Sequence, residues 1–226
     1  MTPDVQVCGI TSKSDASMCG ELGVDAVGFV NVDNRTRSIS LDSIRSIVQD
    51  LKPGIVSTLI TFSDDVEQII RDGRYVNVNR LQLYSVNPEE IVKIKKAGFE
   101  VIRPISIDVG NGGMEMDLDE VKSLSKASDM ILFEPSIEGE TGGTGVTFDY
   151  SEILSPLIEY TERFGIAGGL SPQNVHQALK LEPHAVHVSS GVESLKGKKD
   201  RKKVKDFVEN VRNRECCGEC GRKDKR

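Results

Sequence analysis

Short apolar segments rich in β-branched residues recur along the chain at fairly even intervals. Each is followed by a polar segment in which apolar residues return with the spacing of an amphipathic helix. The pattern predicts eight strands, at residues 5–10, 24–30, 55–61, 80–84, 100–105, 129–134, 164–168 and 185–190. It predicts eight helices between and after them, at residues 14–22, 41–51, 64–70, 88–97, 118–125, 150–160, 172–181 and 202–211.

This strict alternation of strand and helix predicts a parallel sheet covered by helices. Eight such units in 226 residues favour an α/β fold with one closed (β/α)8 TIM barrel, and the alternative is an open doubly wound sheet. We expect one barrel domain over residues 1–213 and a charged, cysteine-containing, mobile tail over residues 214–226. In such barrels the functional side chains lie at the C-terminal ends of the strands.

Three glycine-rich turns follow predicted strands six, seven and eight. Backbone N–H groups beside glycine can approach an anion closely, and hydroxyl groups add further donors. Ser171 and Pro172 predict the N-cap and first residue of the seventh helix, whose N-terminus would point at the same anion. One such turn is equally well explained as a tight turn, whereas three at consecutive strand ends predict a phosphate site. Its candidate residues are Gly143, Thr144, Gly145, Gly168, Gly169, Ser189, Ser190 and Gly191.

Two further candidates lie at the ends of the first two strands. In VQVCGIT the two-residue period places Gln6 and Cys8 on one face, and this face points into the barrel if the valines meet the helices. A lone cysteine is more often an inert buried residue, but Cys8 would end a strand on the catalytic side. Arg37 falls in the loop after the second strand, where it could clamp a carboxylate or phosphate.

Composition narrows the class of protein. A net charge of −6 and a pI near 5.3 argue against nucleic-acid binding. No segment approaches the ~18 apolar residues of a membrane span, and the N-terminus lacks a signal-peptide pattern. Five cysteines, three of them clustered at 216, 217 and 220, are not a disulfide framework. We therefore predict a cytoplasmic protein without membrane partners.

Three other segments have interpretations of their own. The tail cysteines have ligand spacing, but three are one short of a structural zinc site, so no metal is predicted and a site completed across a dimer is the alternative. The basic run at 196–203 is interpreted as the solvated start of the last helix. Residues 106–117, rich in glycine and aspartate, are predicted to form a mobile flap.

Several segments together resemble the phosphoribosylanthranilate isomerase family, over roughly residues 5–210. They are VQVCGITSKSDA, ELGVDAVGFV, the arginine of TRSIS, LQL, GGTGVTFDY, IAGGLSPQNV and VSSGVESLKGKKD. The resemblance implies a (β/α)8 enzyme of tryptophan biosynthesis. It implies conversion of N-(5-phosphoribosyl)anthranilate to its 1-deoxyribulose 5-phosphate isomer by an Amadori rearrangement, without metal or cofactor. We expect a monomer or a homodimer.

The resemblance also assigns roles to residues. It implies that Cys8 is the general base, and the thiolate this requires predicts a lowered pKa. Glu134 stands at the position of the general acid, and Arg37 would contact the anthranilate end. Gln82 and His187 would bind the substrate, and the glycine turns would hold the phosphate.

The sequence departs from the family pattern at three places in this pocket. Glu134 replaces an aspartate and is one methylene longer, His187 replaces an aspartate, and Tyr84-Ser85 replace His-Gly. His187 could donate to a carboxylate, take over proton transfer, or be a core histidine bonded to backbone. Either the same reaction is carried out by re-tuned groups, or a paralogous enzyme or non-catalytic binder takes a different phosphosugar adduct.

Overall fold

The computed structural model describes residues 2–108, 117–137, 140–141 and 150–213, and in it eight parallel strands close into a barrel. The ring closes because the first strand pairs with the last and the fifth with the sixth. The strands are β1 Asp4–Cys8, β2 Ala26–Val30, β3 Val56–Thr61, β4 Arg80–Leu83, β5 Glu100–Asp108, β6 Met130–Ile137, β7 Phe164–Ile166 and β8 Ala185–Val188. The predicted (β/α)8 barrel is confirmed.

Within the described ranges, eight helices follow the strands in turn. They are α1 Lys13–Glu21, α2 Leu41–Val48, α3 Val66–Val76, α4 Pro88–Lys96, α5 Leu118–Ala127, α6 Tyr150–Ile158, α7 Val175–Leu179 and α8 Arg201–Arg212. Several start sharply because a side-chain oxygen accepts a bond from a backbone N–H of the first turn. Asn87 and Glu90 form a full capping box at α4, and Ser12 and Asp200 cap α1 and α8.

The predicted boundary of α7 is wrong. The helix begins at Val175, so Ser171 and Pro172 are neither its N-cap nor its first residue. Asn174 organises the turn instead, since its Oδ1 accepts from the Ser171 N–H at 2.7 Å and its Nδ2 donates to the Gly169 carbonyl at 2.8 Å. The spacing of apolar residues does not predict such side-chain hydrogen bonds.

The predicted flap also starts too early. Strand β5 extends through residue 108 rather than ending at 105, because its last residues continue to pair with β6. Residues 109–116, which make up most of the predicted flap, lie outside the described residues, as do Gly143, Thr144, Gly145 and the tail at 214–226.

Alternation along the strands separates two apolar regions. One set of strand residues, including Val5, Val27 and Ile131, packs against the helices in the main core. The other forms a smaller cluster inside the barrel, made of Ile102, Met130, Leu132, Ala167 and Ala185. Buried polar residues from neighbouring strands, among them Gln6 and Gln82, share the interior with it. The barrel is therefore a filled core with a polar region.

A small hairpin follows β8, formed by Glu193–Leu195 and Lys198–Lys199. It corrects the interpretation of the basic run at 196–203 as a solvated helix start. Lys199 is buried and its ammonium group bonds the Glu193 carboxylate at 2.8 Å, while the helix itself begins at Arg201.

None of the helices in the described ranges is long and apolar enough to cross a membrane.

The interior cluster predicts a stability effect. Leu132→Ala removes a fully buried side chain and should lower the free energy of unfolding by about 3–5 kcal/mol, because the closed barrel collapses poorly around a cavity. Urea denaturation followed by circular dichroism measures this change. Leu195→Ala is the control, since Leu195 is 73 % exposed and should change stability by less than about 0.5 kcal/mol. Equal effects of the two substitutions would contradict a packed interior.

Candidate active site

A cavity of about 640 Å³ lies at the C-terminal ends of the barrel strands. It brings together most of the described residues that were predicted to form a site. Those that line it are Cys8, Arg37, Gln82, Glu134, Gly168, Gly169, His187, Ser189 and Ser190. Gly191 does not line it, and its role is in backbone packing, as described below.

Cys8 ends β1 and is half-buried. Its sulfur accepts a hydrogen bond from Gln6 Nε2 at 3.2 Å. Burial raises the pKa of the thiol to about 11, although the Gln6 bond and the charge of Lys199 both lower it. The charge of Glu134 raises it further. The predicted lowering of the Cys8 pKa is therefore wrong, because removal of water outweighs the one cation and one donor nearby.

Glu134 lies in β6 and is 8 % exposed. Burial raises the pKa of its carboxyl group to about 7, against the opposing effect of a hydrogen bond from Tyr84. The Tyr84 hydroxyl donates to Glu134 Oε2 at 3.0 Å and accepts from Gln82 Nε2 at 2.9 Å. Glu134 is thus partly protonated at neutral pH. Its carboxylate is held by the Tyr84 hydroxyl, which is held in turn by the Gln82 amide.

Tyr84 is a site residue to which sequence reasoning assigned no role, although its replacement of the family's histidine was the available signal. Burial, together with the nearby carboxylate, raises the pKa of its hydroxyl well above the usual value, so it remains a donor. Its ring stacks on Phe62, with centroids 4.1 Å apart and an angle of 7° between the planes. Both rings line the cavity and give it a flat apolar wall.

Arg37 reaches the cavity from the loop after β2 and is held by Glu193. Its Nε and Nη2 donate to the two carboxylate oxygens at 2.7 and 2.8 Å, in the bidentate geometry typical of guanidinium groups. Glu193 also accepts from the buried Lys199. Burial alone would raise the pKa of Glu193, but these two cations hold it at about 2. Sequence reasoning missed both Glu193 and Lys199.

A glycine makes room for this arginine. Gly9 has a φ of +72°, and a Cβ built on it would lie 2.5 Å from Arg37 Cδ. Any other residue would collide with the side chain that crosses it.

The turns after β7 and β8 pack backbone against backbone. Gly168 and Gly169 both have positive φ, +82° and +63°, a conformation that directs successive N–H groups towards one side. A Cβ on Gly191 would lie 1.9 Å from the Leu170 carbonyl oxygen, so only glycine lets the two turns touch. Ser189 ties the second turn to β1 by donating to the Cys8 carbonyl at 3.1 Å.

His187 lies in β8 and is 3 % exposed. Its Nδ1 is 3.3 Å from Gln6 Nε2. Burial, assisted by the positive charge of Arg80, lowers the pKa of the imidazole to about 3. His187 is therefore neutral at physiological pH, which rules it out as an imidazolium acid. Its described ring contact is with the side chain of Gln6, so the interpretation of His187 as a core histidine bonded to backbone is wrong for the described residues.

Within the ranges that the structure describes, no group of three or more His, Cys, Asp or Glu side chains is arranged to hold a metal ion. The tail cysteines lie outside these ranges.

Comparison with known proteins relates this geometry to one family. A family model for N-(5'-phosphoribosyl)anthranilate isomerase matches residues 5–210. The isomerase of Thermotoga maritima is 35 % identical over 212 residues, covering 92 % of this chain and 98 % of the relative. That of Rubrobacter xylanophilus is 32 % identical over 207 residues, covering 90 % and 96 %.

Solved structures of isomerases from this family are also similar to this chain. The crystal structure of the Thermotoga maritima isomerase superposes with a TM-score of 0.81 at 34 % identity, covering 93 % of this chain and 98 % of that one. A structure of the isomerase in complex with reduced 1-(o-carboxyphenylamino)-1-deoxyribulose 5-phosphate has a TM-score of 0.78 at 32 % identity, with the same coverage. The chain with the Cys8–Glu134 cavity belongs to the phosphoribosylanthranilate isomerase family.

Proposed function

We propose that the protein catalyses the Amadori rearrangement of N-(5-phosphoribosyl)anthranilate to 1-(2-carboxyphenylamino)-1-deoxyribulose 5-phosphate, a step of tryptophan biosynthesis. One observation carries the proposal. A single cavity collects a thiol, a half-protonated carboxyl group, an arginine and two glycine turns at the strand ends of a barrel. The reaction needs an acid, a base and an anchor for a phosphate and a carboxylate, and each has a counterpart here.

Glu134 is the proposed general acid. Its proton goes to the ribose ring oxygen, the bond from that oxygen to C1 breaks, and a protonated Schiff base forms at C1. An acid works best when its pKa lies near the working pH, and burial brings Glu134 to about 7. The hydrogen bond from Tyr84 then stabilises the carboxylate that the transfer leaves behind.

Cys8 is the proposed general base. As a thiolate it removes the proton from C2, and the resulting enolamine tautomerises to the ketone. Burial opposes formation of the thiolate, whereas the cationic Schiff base formed in the preceding step favours it by direct charge attraction. Gln6 and Lys199 assist from the protein side, since both lower the pKa of Cys8.

Binding groups surround this pair. Arg37 is proposed to contact the anthranilate carboxylate, and the stacked rings of Phe62 and Tyr84 give a surface for the aromatic ring. The turns at Gly168-Gly169 and at Ser189-Ser190-Gly191 are proposed to hold the phosphate, together with Gly143, Thr144 and Gly145. Gln82 and His187 complete the polar wall. Anchoring both ends of the substrate supplies the positioning energy for the reaction at its centre.

The assembly and location of the protein are part of the same proposal. The Thermotoga maritima relative is a dimeric isomerase from which monomers have been generated. This relative supports a monomer or a homodimer here. A biosynthetic role supports a cytoplasmic location.

Activity tests the proposed roles directly. Cys8→Ala and Glu134→Gln should each lower kcat by at least about 10²-fold, because neither replacement can transfer a proton. The loss of substrate fluorescence on mixing with phosphoribosylanthranilate measures this rate. Cys19→Ala is the matched control, since Cys19 is buried in the outer core and should retain turnover. Full activity of Glu134→Gln would remove Glu134 from the acid role, and no turnover by folded wild-type protein would favour a different phosphosugar adduct.

The pH profile follows from the two pKa values. The active form has Cys8 as a thiolate and Glu134 as a protonated carboxyl. Between pH 7 and 11 the dominant form has Cys8 as a thiol and Glu134 as a carboxylate. Both forms carry one proton, so their ratio does not change with pH in this range. We expect kcat/KM to be flat between about pH 7 and pH 11 and to fall about tenfold per unit below pH 7. A steady fall of kcat/KM from pH 7 to pH 9 would contradict this assignment.

Removing Tyr84's hydroxyl should move the profile. Tyr84→Phe deletes a donor that lowers the pKa of Glu134, so the break near pH 7 should shift to higher pH. The measurement is kcat/KM against pH for both proteins. Phe62→Leu removes the stacked ring but not the hydrogen bond, and should leave the break in place. An unchanged break in Tyr84→Phe would show that the bond does not tune the acid.

Glu134 should also reduce stability at neutral pH. Its folded pKa of about 7 lies above the ordinary value near 4.5, so the folded state holds the extra proton and loses stability as pH rises from 4.5 to 7. Glu134→Gln removes this loss, and should gain up to about 3 kcal/mol relative to wild type between pH 5 and pH 8. Urea denaturation at both pH values measures it, with exposed Glu89→Gln as control. A gain that is equal at the two pH values would contradict the raised pKa.

A further inference from the structure

One buried amide, that of Gln6, connects three side chains from three different strands. Thr58 Oγ1 donates to Gln6 Oε1 at 2.9 Å. Gln6 Nε2 is 3.2 Å from Cys8 Sγ and 3.3 Å from His187 Nδ1. Gln6, Thr58 and His187 are all at most 3 % exposed. Water therefore does not compete for these bonds, and the direction of each one is set by the protein alone.

Strand register brings these groups together. Gln6 on β1 pairs directly with His187 on β8, where the barrel closes. Thr58 comes from β3, on the far side of β2, and its neighbour there is Gly28, which also pairs with Cys8. A Cβ on Gly28 would lie 3.1 Å from the Cys8 sulfur. The missing side chain therefore relieves crowding around the thiol at the place where the three strands meet.

The direction of the bonds follows from the orientation of the Gln6 amide. Its oxygen accepts from the Thr58 hydroxyl, and its NH₂ group faces Cys8 and His187. An NH₂ group only donates, and it has one hydrogen for each neighbour. Nδ1 of His187 must then accept. A neutral imidazole that accepts at Nδ1 carries its hydrogen on Nε2.

That Nε2 group has no hydrogen-bond partner among the described residues, although it is buried. His187 lines the cavity, and so does Gln82, whose Oε1 is likewise without a partner in the described ranges. An unmatched buried donor or acceptor destabilises the folded state, because it has lost its bond to water and gained no partner. A donor and an acceptor on the same cavity wall match the chemistry of sugar hydroxyl groups, which both accept and donate.

We propose that Gln6 is a positioning residue that holds His187 as an Nε2–H donor for a hydroxyl oxygen of the bound sugar while donating its second hydrogen to the Cys8 sulfur. The sugar as ligand rests on the proposed function. The arrangement of Gln6, His187 and Cys8 does not, and can be tested without substrate. One amide thus sets the hydrogen-bonding form of a binding group and of the proposed base.

The first test is the tautomer of His187 in the full chain. Long-range ¹H–¹⁵N NMR of protein labelled at its three histidines, with His187→Asn to assign the signal, shows which ring nitrogen carries hydrogen. We expect a neutral Nε2–H form from pH 5 to 8. In Gln6→Glu the carboxylate should accept from Nδ1, giving an Nδ1–H tautomer or an imidazolium. An Nδ1–H form in the wild type would overturn the proposal, since the amide would then face the other way.

The second test is the reactivity of Cys8. Gln6→Leu removes a donor that favours the thiolate, so alkylation of Cys8 by iodoacetamide at pH 9, followed by peptide mass spectrometry, should be roughly three- to tenfold slower. Gln177→Leu is the control and should leave the alkylation rate of Cys8 unchanged, because Gln177 lies in α7 and does not line the cavity. Equal rates in wild type and Gln6→Leu would overturn the link to Cys8.

The third test adds the ligand. Reduced 1-(o-carboxyphenylamino)-1-deoxyribulose 5-phosphate should move the His187 Nε2–H proton resonance downfield in wild type, and an unmoved resonance in the saturated protein would overturn the sugar contact. If the tautomer and the alkylation rates are as expected but phosphoribosylanthranilate is not turned over, the proposed function fails while the Gln6 arrangement stands. Normal turnover by a protein whose His187 carries its hydrogen on Nδ1 would support the proposed function and overturn the Gln6 arrangement.

Discussion

Closure of the barrel between β1 and β8 is the constraint on which the rest of the structure depends. The pairing of Asp4 to Val7 with Ala185 to Val188 removes both sheet edges and turns alternate side chains of every strand into one small interior. It also places Gln6 opposite His187 and puts the turn after β8 beside Cys8. A shift of one residue in this register would send Gln6 and Cys8 out to the helices and leave no site.

Enclosure then has opposite consequences for the two proposed proton-transfer groups. It raises the pKa of both Glu134 and Cys8, which suits an acid and hinders a base. The structure offsets the second effect with an amide donor and with a buried cation, Lys199. The cation is itself held by Glu193, and Glu193 in turn holds Arg37. One ion network in the cavity therefore holds Arg37, the proposed substrate-binding arginine, and also supplies the cation that lowers the pKa of the Cys8 thiol. Removing Glu193 would leave the buried Lys199 without its ion-pair partner.

The fold could be predicted from the sequence because it depends on periodicity, and the eight strands and eight helices all have that signal. The boundary of α7 could not, since it depends on the side-chain bonds of Asn174 rather than on apolar spacing. Cys8, Glu134 and Arg37 could be placed in one cavity from their positions at strand ends. Lys199 was misinterpreted because a run of lysines is normally solvated, and only the hairpin geometry shows that this one is buried.

The departures from the family pattern are informative because they contact groups within the same cavity. Tyr84 is bonded to Glu134, so the longer carboxylate and the new phenol form one hydrogen-bonded unit. His187 is within bonding distance of Gln6, which is also bonded to the thiol. A pocket adapted to a different ligand would be expected to change at residues that face only the ligand. Here Glu134, Tyr84 and His187 are each matched to a neighbour that orients the side chain or tunes its pKa. This pattern favours re-tuned catalysis of the family reaction over a change of substrate.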